Sequence, residues 1–150
     1  MKDEISEIEV TYISKIKSSD RLKIRCSEDA NNALRTFWPS FEHVEYVYLL
    51  LLNRQNQLIG KYFLAKGGMT GTVVDVRVIF QVALKANATS IMLAHNHPSG
   101  NLQPSEADKS VTNQVKEAGK ILDISLLDHI ILTEDGYLSL ADEGLLKGRM

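Results

Sequence analysis

A chain of 150 residues, 44% hydrophobic and 24% charged, has the size and composition of one soluble globular domain, which excludes disordered and fibrous classes. Seventeen Lys and Arg against nineteen Asp and Glu leave a formal net charge of −2, so any nucleic-acid footprint must be local. The longest apolar run, Tyr46–Leu52, spans seven residues against the ~20 that a membrane helix needs, and the N-terminus carries no apolar signal segment. The single cysteine, Cys26, excludes an intrachain disulfide and any multi-cysteine metal site, so a reducing cytoplasm is the expected setting.

In chain order, residues 4–13 alternate roughly between apolar and polar, as an edge strand would. Lys15, Lys17, Arg21, Lys23 and Arg25 follow against only Asp20, either a solvated connecting segment or a phosphate-binding arm, with no interleaved aromatic to stack bases. These first 26 residues are expected to precede the main domain at 27–150. Ser27 is expected to cap a helix with acids in its first turn, running through Ala30, Ala33, Leu34 and Phe37 and stopping near Trp38-Pro39. Tyr46–Leu52 then reads as a buried strand, turned by Asn53-Arg-Gln-Asn-Gln into a second strand at Leu58–Ala65. Lys66-Gly-Gly-Met-Thr-Gly-Thr is a loop without the Gly-Lys-Ser/Thr ending of a phosphate loop. Asp75 can cap a helix in which Val78, Ile79, Val82, Ala83 and Ala86 repeat at helical spacing. Thr89–Ala94 is a short apolar strand, and Pro104 to Gly119 bounds another helix. Ile121–Leu132 supplies one or two strands, and a short helix near Leu140–Leu146 closes the chain. Strands alternating with helices predict an α/β or mixed α+β fold around a central sheet.

The chemistry concentrates in His95-Asn-His-Pro-Ser-Gly-Asn-Leu-Gln-Pro-Ser105-Glu-Ala-Asp108. His95 and His97 leave the end of a strand two residues apart, so their side chains face the same way. Ser105 and Asp108, three apart at a helix start, share a helix face. Two imidazoles and a carboxylate make a three-ligand site with a fourth position open, the pattern of catalytic zinc. Taken singly, each of these residues is more often a surface histidine or a dipole-facing acid; together they point to one site.

The His-x-His-Pro-x(6)-Ser-x-x-Asp spacing resembles the JAMM signature of the MPN (Mov34/JAB) metalloprotease fold. Ala94-His-Asn-His-Pro-Ser-Gly, Pro104-Ser-Glu-Ala-Asp and Leu127-Asp-His-Ile-Ile more narrowly resemble the RadC family, over roughly residues 27–146. The resemblance implies a central sheet flanked by helices with a cytidine-deaminase-like architecture, and a short form without the N-terminal helix-hairpin-helix region of longer members. It maps His95, His97 and Asp108 onto zinc ligands and Ser105 onto a serine that steadies the tetrahedral intermediate. It also implies an upstream glutamate as the proton-transferring group: Glu45, at the head of an apolar strand, with Glu42 as the fallback.

That set suits hydrolysis of a peptide or isopeptide bond by metal-activated water, on a protein or peptide substrate. One rival is a DNA-repair or mobile-element accessory protein that binds nucleic acid through the Lys15–Arg25 cluster; another is a non-catalytic MPN-like interaction module. Asp128-His129 is expected to orient a ligand or satisfy backbone and not to bind metal directly. His43 is expected at the surface near the mouth of the site, Cys26 as a half-buried structural thiol, and Ser99 as a turn residue. The contiguous His-Asn-His letters do not make an HNH nuclease, whose residues are spread over a ββα unit.

Overall fold

The computed structural model describes residues 4–67 and 74–146. Five strands form one mixed sheet: β1 (Glu45–Leu52), β2 (Leu58–Gly67), β3 (Ser90–Asn96), β4 (Ser125–Leu132) and β5 (Tyr137–Ser139), in the order β2-β1-β3-β4-β5. β3 and β4 run parallel and the remaining neighbours antiparallel. Three helices cover the sheet: α1 (Ser27–Arg35), α2 (Val76–Lys85) and α3 (Glu106–Leu122). This is the mixed α/β architecture that the alternation of elements predicts.

The central strands are apolar on both sides because both faces are covered. On β1, Leu50 and Leu52 pack with Ala30, Ala33 and Leu34 of α1 and with Met92, Ile130 and Leu132. The intervening Leu49 and Leu51 pack on the opposite face with Ile79, Phe80 and Ala83 of α2 and Val115 of α3. The period-two alternation of a strand thus divides one leucine run between two cores. Fully burying a leucine contributes roughly 1.5–3 kcal/mol, so this run anchors the domain.

Local chemistry sets the helix starts. The Asp75 carboxylate accepts the Arg77 N–H at 2.9 Å, as an N-cap does. Ser27, expected as a cap, is instead the first residue of α1, and Cys26 occupies the N-cap with its thiol exposed, not half-buried. The Ser27 hydroxyl is spent elsewhere, donating to Asp142 at 2.5 Å, while the Asp29 carboxylate accepts the Arg25 N–H.

Three further expectations need correction. Gly119 does not end α3; the helix continues to Leu122 and closes on Asp123 in the left-handed region, φ 57°. Gly119 is there for room, since a Cβ would collide with the Ile124 carbonyl oxygen. Residues 140–146 form turns and no helix. Residues 4–13 form no strand: the sheet edge beside them is met by the chain at 22–24, where Leu58 N–H donates to Leu22 O and Ile24 N–H to Asn56 O. A 3-10 turn at Ser18–Asp20 diverts the preceding residues from that edge. The glycine-rich loop lies outside the described residues except for Lys66 and Gly67, which extend β2.

Candidate metal centre

β3 ends in His95 and Asn96, and its last buried residues carry the site. On β1, Glu45, Val47, Leu49 and Leu51 share a face, and Val47 lies opposite His95. Glu45 therefore points to the same side of the sheet as His95, the side that α2 and α3 cover. After β3 the chain turns through Gly100, φ 83°, with the Ser99 hydroxyl accepting the Asn101 N–H, and enters α3.

Ser105 is the N-cap of α3 and not, as the proline suggested, a residue within its first turn. Its hydroxyl oxygen accepts the Asp108 N–H at 3.0 Å, and its own N–H donates to Asp108 Oδ2 at 2.8 Å, a reciprocal capping box. This cap aims the Asp108 carboxylate back toward the strand end. There, Asp108 Oδ1 lies 3.1 Å from His95 Nε2 and Oδ2 lies 3.2 Å from His97 Nε2, with the two Nε2 atoms 3.0 Å apart. Ligand atoms of His95, His97 and Asp108 all fall within 4.8 Å of one another, so the group could hold a metal ion.

The hydrogen-bond network assigns the tautomers. The Thr112 hydroxyl donates to the Asp108 carbonyl at 2.7 Å, leaving its oxygen to accept from His129 Nδ1–H at 2.6 Å. His129 Nε2 is then a lone pair that accepts His95 Nδ1–H at 2.7 Å, and His95 Nε2 is left bare toward the site. His97 Nδ1–H donates to the Asn101 carbonyl at 2.6 Å, which bares His97 Nε2 as well. Two imidazole lone pairs and a carboxylate converge with no hydrogen assigned between them, a donor set that fits a borderline-soft cation such as zinc.

In the alternative state, with Nε2 protonated, the imidazoles donate to Asp108 instead. Burial alone would raise the Asp108 carboxyl, but hydrogen bonds from His95 and His97 outweigh it and hold Asp108 far below the usual carboxylate range. The hydrogen bond to Asp108 raises His97 against the opposing effect of burial. Burial, reinforced by the neighbouring His95, keeps His129 well below the ordinary imidazole value, so it stays neutral as the relay requires. Burial raises Glu45 above a free glutamate, with His95 pulling the other way and the Asp108 charge adding to the rise.

Glu45 shares a cavity of about 40 Å³ with His95, Asp108 and His129, walled by Val47, Val74, Leu93 and Val111. Asn96 holds it in place. The Asn96 carboxamide accepts Tyr46 N–H at 2.8 Å and donates to Val44 O at 2.9 Å, clamping the backbone on both sides of Glu45.

The structure thus gathers His95, His97, Asp108 and Glu45, with Ser105 at the exposed rim. His129 reaches the site through His95, whereas Asp128 faces away and accepts from Ser139 Oγ at 2.5 Å and Ala141 N–H at 3.0 Å. Glu42 and His43 are exposed. Thr112 and Asn96 were not anticipated. Thr112 stands four residues after Asp108 on the same helix face, a spacing that marks it; Asn96 has no local signal.

A mixed sheet with two histidines at a central strand end and an aspartate from the following helix defines a JAB-type domain of the MPN class. The family model described as a RadC-like JAB domain matches residues 24–145, and the chain belongs to this family. It is 47% identical over 123 residues to a UPF0758 protein of Flavobacterium johnsoniae, covering 82% of this chain and 53% of that one. A Listeria monocytogenes UPF0758 protein is 40% identical over 134 residues, covering 88% and 58%. A Porphyromonas gingivalis UPF0758 protein is 40% identical over 135 residues, covering 88% and 60%. The chain therefore spans little more than half the length of the curated relatives it matches.

Proposed function

We propose that this chain is a zinc-dependent hydrolase that cleaves a peptide or isopeptide amide bond in the cytoplasm. The observation that carries the reading is the convergence of bare His95 Nε2, bare His97 Nε2 and the Asp108 carboxylate beside the partly buried Glu45. Structural zinc sites take four protein ligands, whereas three protein ligands leave a position for substrate or water. The cytoplasmic setting rests on a lone exposed thiol and on the absence, among the described residues, of any helix long and apolar enough to cross a membrane.

His95, His97 and Asp108 would hold the ion. When bound, zinc supplies Lewis acidity, polarising an amide carbonyl and lowering the pKa of water. Glu45, its carboxyl raised by burial, accepts a proton from the attacking water and delivers it to the amide nitrogen as the C–N bond breaks. The products are a carboxylate and a free amine. Ser105 uses its oxygen to cap α3, so its hydroxyl proton remains able to donate to the developing oxyanion. Val47, Val74 and Val111 dry the cavity around Glu45 and strengthen each of these interactions.

Metal analysis of purified protein is the first test, with about one zinc per chain expected. Replacing both His95 and His97 by Ala should abolish binding, because a single carboxylate cannot hold the ion. Peptides cleaved by wild type and spared by Glu45→Gln, found by proteomic comparison, would identify a substrate. On that substrate Glu45→Gln should retain zinc and lose about 10²–10⁴ in rate. Near-normal turnover would remove Glu45 from the reaction, and loss of zinc would make it a ligand.

A further inference from the structure

Residues 7–17, Glu-Ile-Glu-Val-Thr-Tyr-Ile-Ser-Lys-Ile-Lys, have the pattern of a strand, yet they join no sheet within the chain. On extended backbone Ile8, Val10, Tyr12, Ser14 and Ile16 share one face, and Glu7, Glu9, Thr11, Ile13, Lys15 and Lys17 share the other. All residues of this arm are exposed: Ile8 at 80%, Val10 at 68% and Ile16 at 59%. Single exposed aliphatics are ordinary, whereas a row of them on one strand face marks an interaction surface. The arm is tethered at its middle, where the Tyr12 hydroxyl donates to the Ile59 carbonyl of β2 at 2.9 Å. Between arm and body lies a cavity of about 630 Å³, walled on the body side by Phe37, Leu51, Leu58, Tyr62 and Val82.

The charges say what covers the arm. Laid antiparallel on a second copy about Tyr12, Glu7 falls opposite Lys17 and Glu9 opposite Lys15, while Ile8 meets Ile16 on the apolar face. By symmetry each charge pair occurs twice. In-register parallel pairing would instead set Glu7 against Glu7 and Lys17 against Lys17, which is repulsive. A sequence acidic in its first half and basic in its second is complementary to itself only across a two-fold axis.

We propose that residues 7–17 of two copies of this chain pair as an antiparallel two-stranded ribbon centred on Tyr12, making the protein a homodimer. A lone ribbon is marginal in water, and the cavity that Tyr12 and Ile16 of the arm already line offers an apolar wall to support it. The pairing uses no residue of the metal centre, so it stands or falls separately from the hydrolase reading.

Sedimentation velocity on the full chain at high micromolar concentration tests it, with a dimer expected. Lys15→Glu/Lys17→Glu turns every cross-strand pair repulsive, as does Glu7→Lys/Glu9→Lys; each should raise the dimer dissociation constant by about 100-fold or more. Mixing the two variants in equal amounts restores all four attractive pairs, and heterodimers should return. At submicromolar concentration, where wild type is also monomeric, circular dichroism and thermal unfolding of each variant should match wild type, because the substituted side chains are exposed. A monomeric wild type, variants that dimerise as tightly as wild type, or a mixture that stays monomeric would each overturn the pairing. So would a monomer that binds duplex DNA through Lys15 and Lys17.

Discussion

Residues 90–96 and residues 4–17 both have strand-like sequences, yet the first stretch is almost wholly buried and the second is exposed throughout. The difference lies in what the rest of the chain offers them. β3 sits between β1 and β4, so its backbone is paired on both sides and His95 meets partners from α3 and β4. The arm approaches a sheet edge, but residues 22–24 meet the start of β2 and the 3-10 turn at Ser18–Asp20 leads away. Periodicity therefore states what a segment can pair with, and chain connectivity decides whether that partner lies in the same molecule.

The wired region should break hardest where backbone meets backbone. Gly119→Ala places a methyl group against the Ile124 carbonyl oxygen, a neighbour that cannot swing aside, and should cost about 3 kcal/mol. Urea unfolding would show it as a lowered midpoint with unchanged slope. If the midpoint barely moved, the contact between α3 and β4 would be looser than the structure describes.

His129→Ala comes next. It leaves His95 Nδ1–H without its buried acceptor, so His95 loses both its orientation and its tautomer. Metal affinity should fall about 10–100-fold in competition titrations with a chelating dye. Stability without metal should fall by about 1–3 kcal/mol from the unsatisfied groups. An unchanged affinity would mean that the ligands are held by β3 and the capping box alone.

Asp128 gives a smaller, signed effect. Burial raises its carboxyl above the ordinary 3.8, against the hydrogen bonds from Ser139, Ala141 and His129. A folded pKa above the unfolded one makes a contribution to stability that is full below the unfolded value and is lost as pH rises through the folded one. Wild type should therefore lose stability relative to Asp128→Asn as pH climbs from about 4 toward neutrality. A pH-independent difference between the two in urea titrations would show that Asp128 ionises alike in both states.

The arm should give the smallest effects on the monomer. Ile8→Ser/Val10→Ser, measured at submicromolar concentration, should shift monomer stability by no more than about 0.5 kcal/mol, since these side chains touch no core. The side chains of Lys15, Lys17, Lys23 and Arg25 are exposed as well, and with a net charge of −2 the run should bind duplex DNA no tighter than about 10⁻⁶ M at physiological salt. Submicromolar binding in fluorescence anisotropy would make the arm a nucleic-acid contact and sharpen the contrast in the opposite direction.

Much of the site is legible locally because its three central groups lie within one strand-turn-helix unit. His95 and His97 converge by strand period, and Asp108 follows Ser105 by helix period, so a short stretch of sequence carries the arrangement. The strand that was expected at residues 4–13 shows the limit of the same logic. Alternation there is clear, yet among the described residues the segment forms no strand.

By itself the sequence determined the succession of elements from α1 to β4, the division of Leu49–Leu52 between two faces, and the spacing that converges two imidazoles and a carboxylate. These follow from bond geometry over a few residues, where the period of a strand or helix leaves little choice. Only the tertiary structure decided which way those imidazoles present their lone pairs, because His129 and Thr112 are brought to His95 by pairing β4 against β3 and packing α3 on the sheet. It also decided the environment of Glu45, fifty positions before His95, through antiparallel pairing of β1 with β3 and the Asn96 clamp. Hydrogen-bond direction and burial are properties of neighbours, and those neighbours come from elements far apart along the chain.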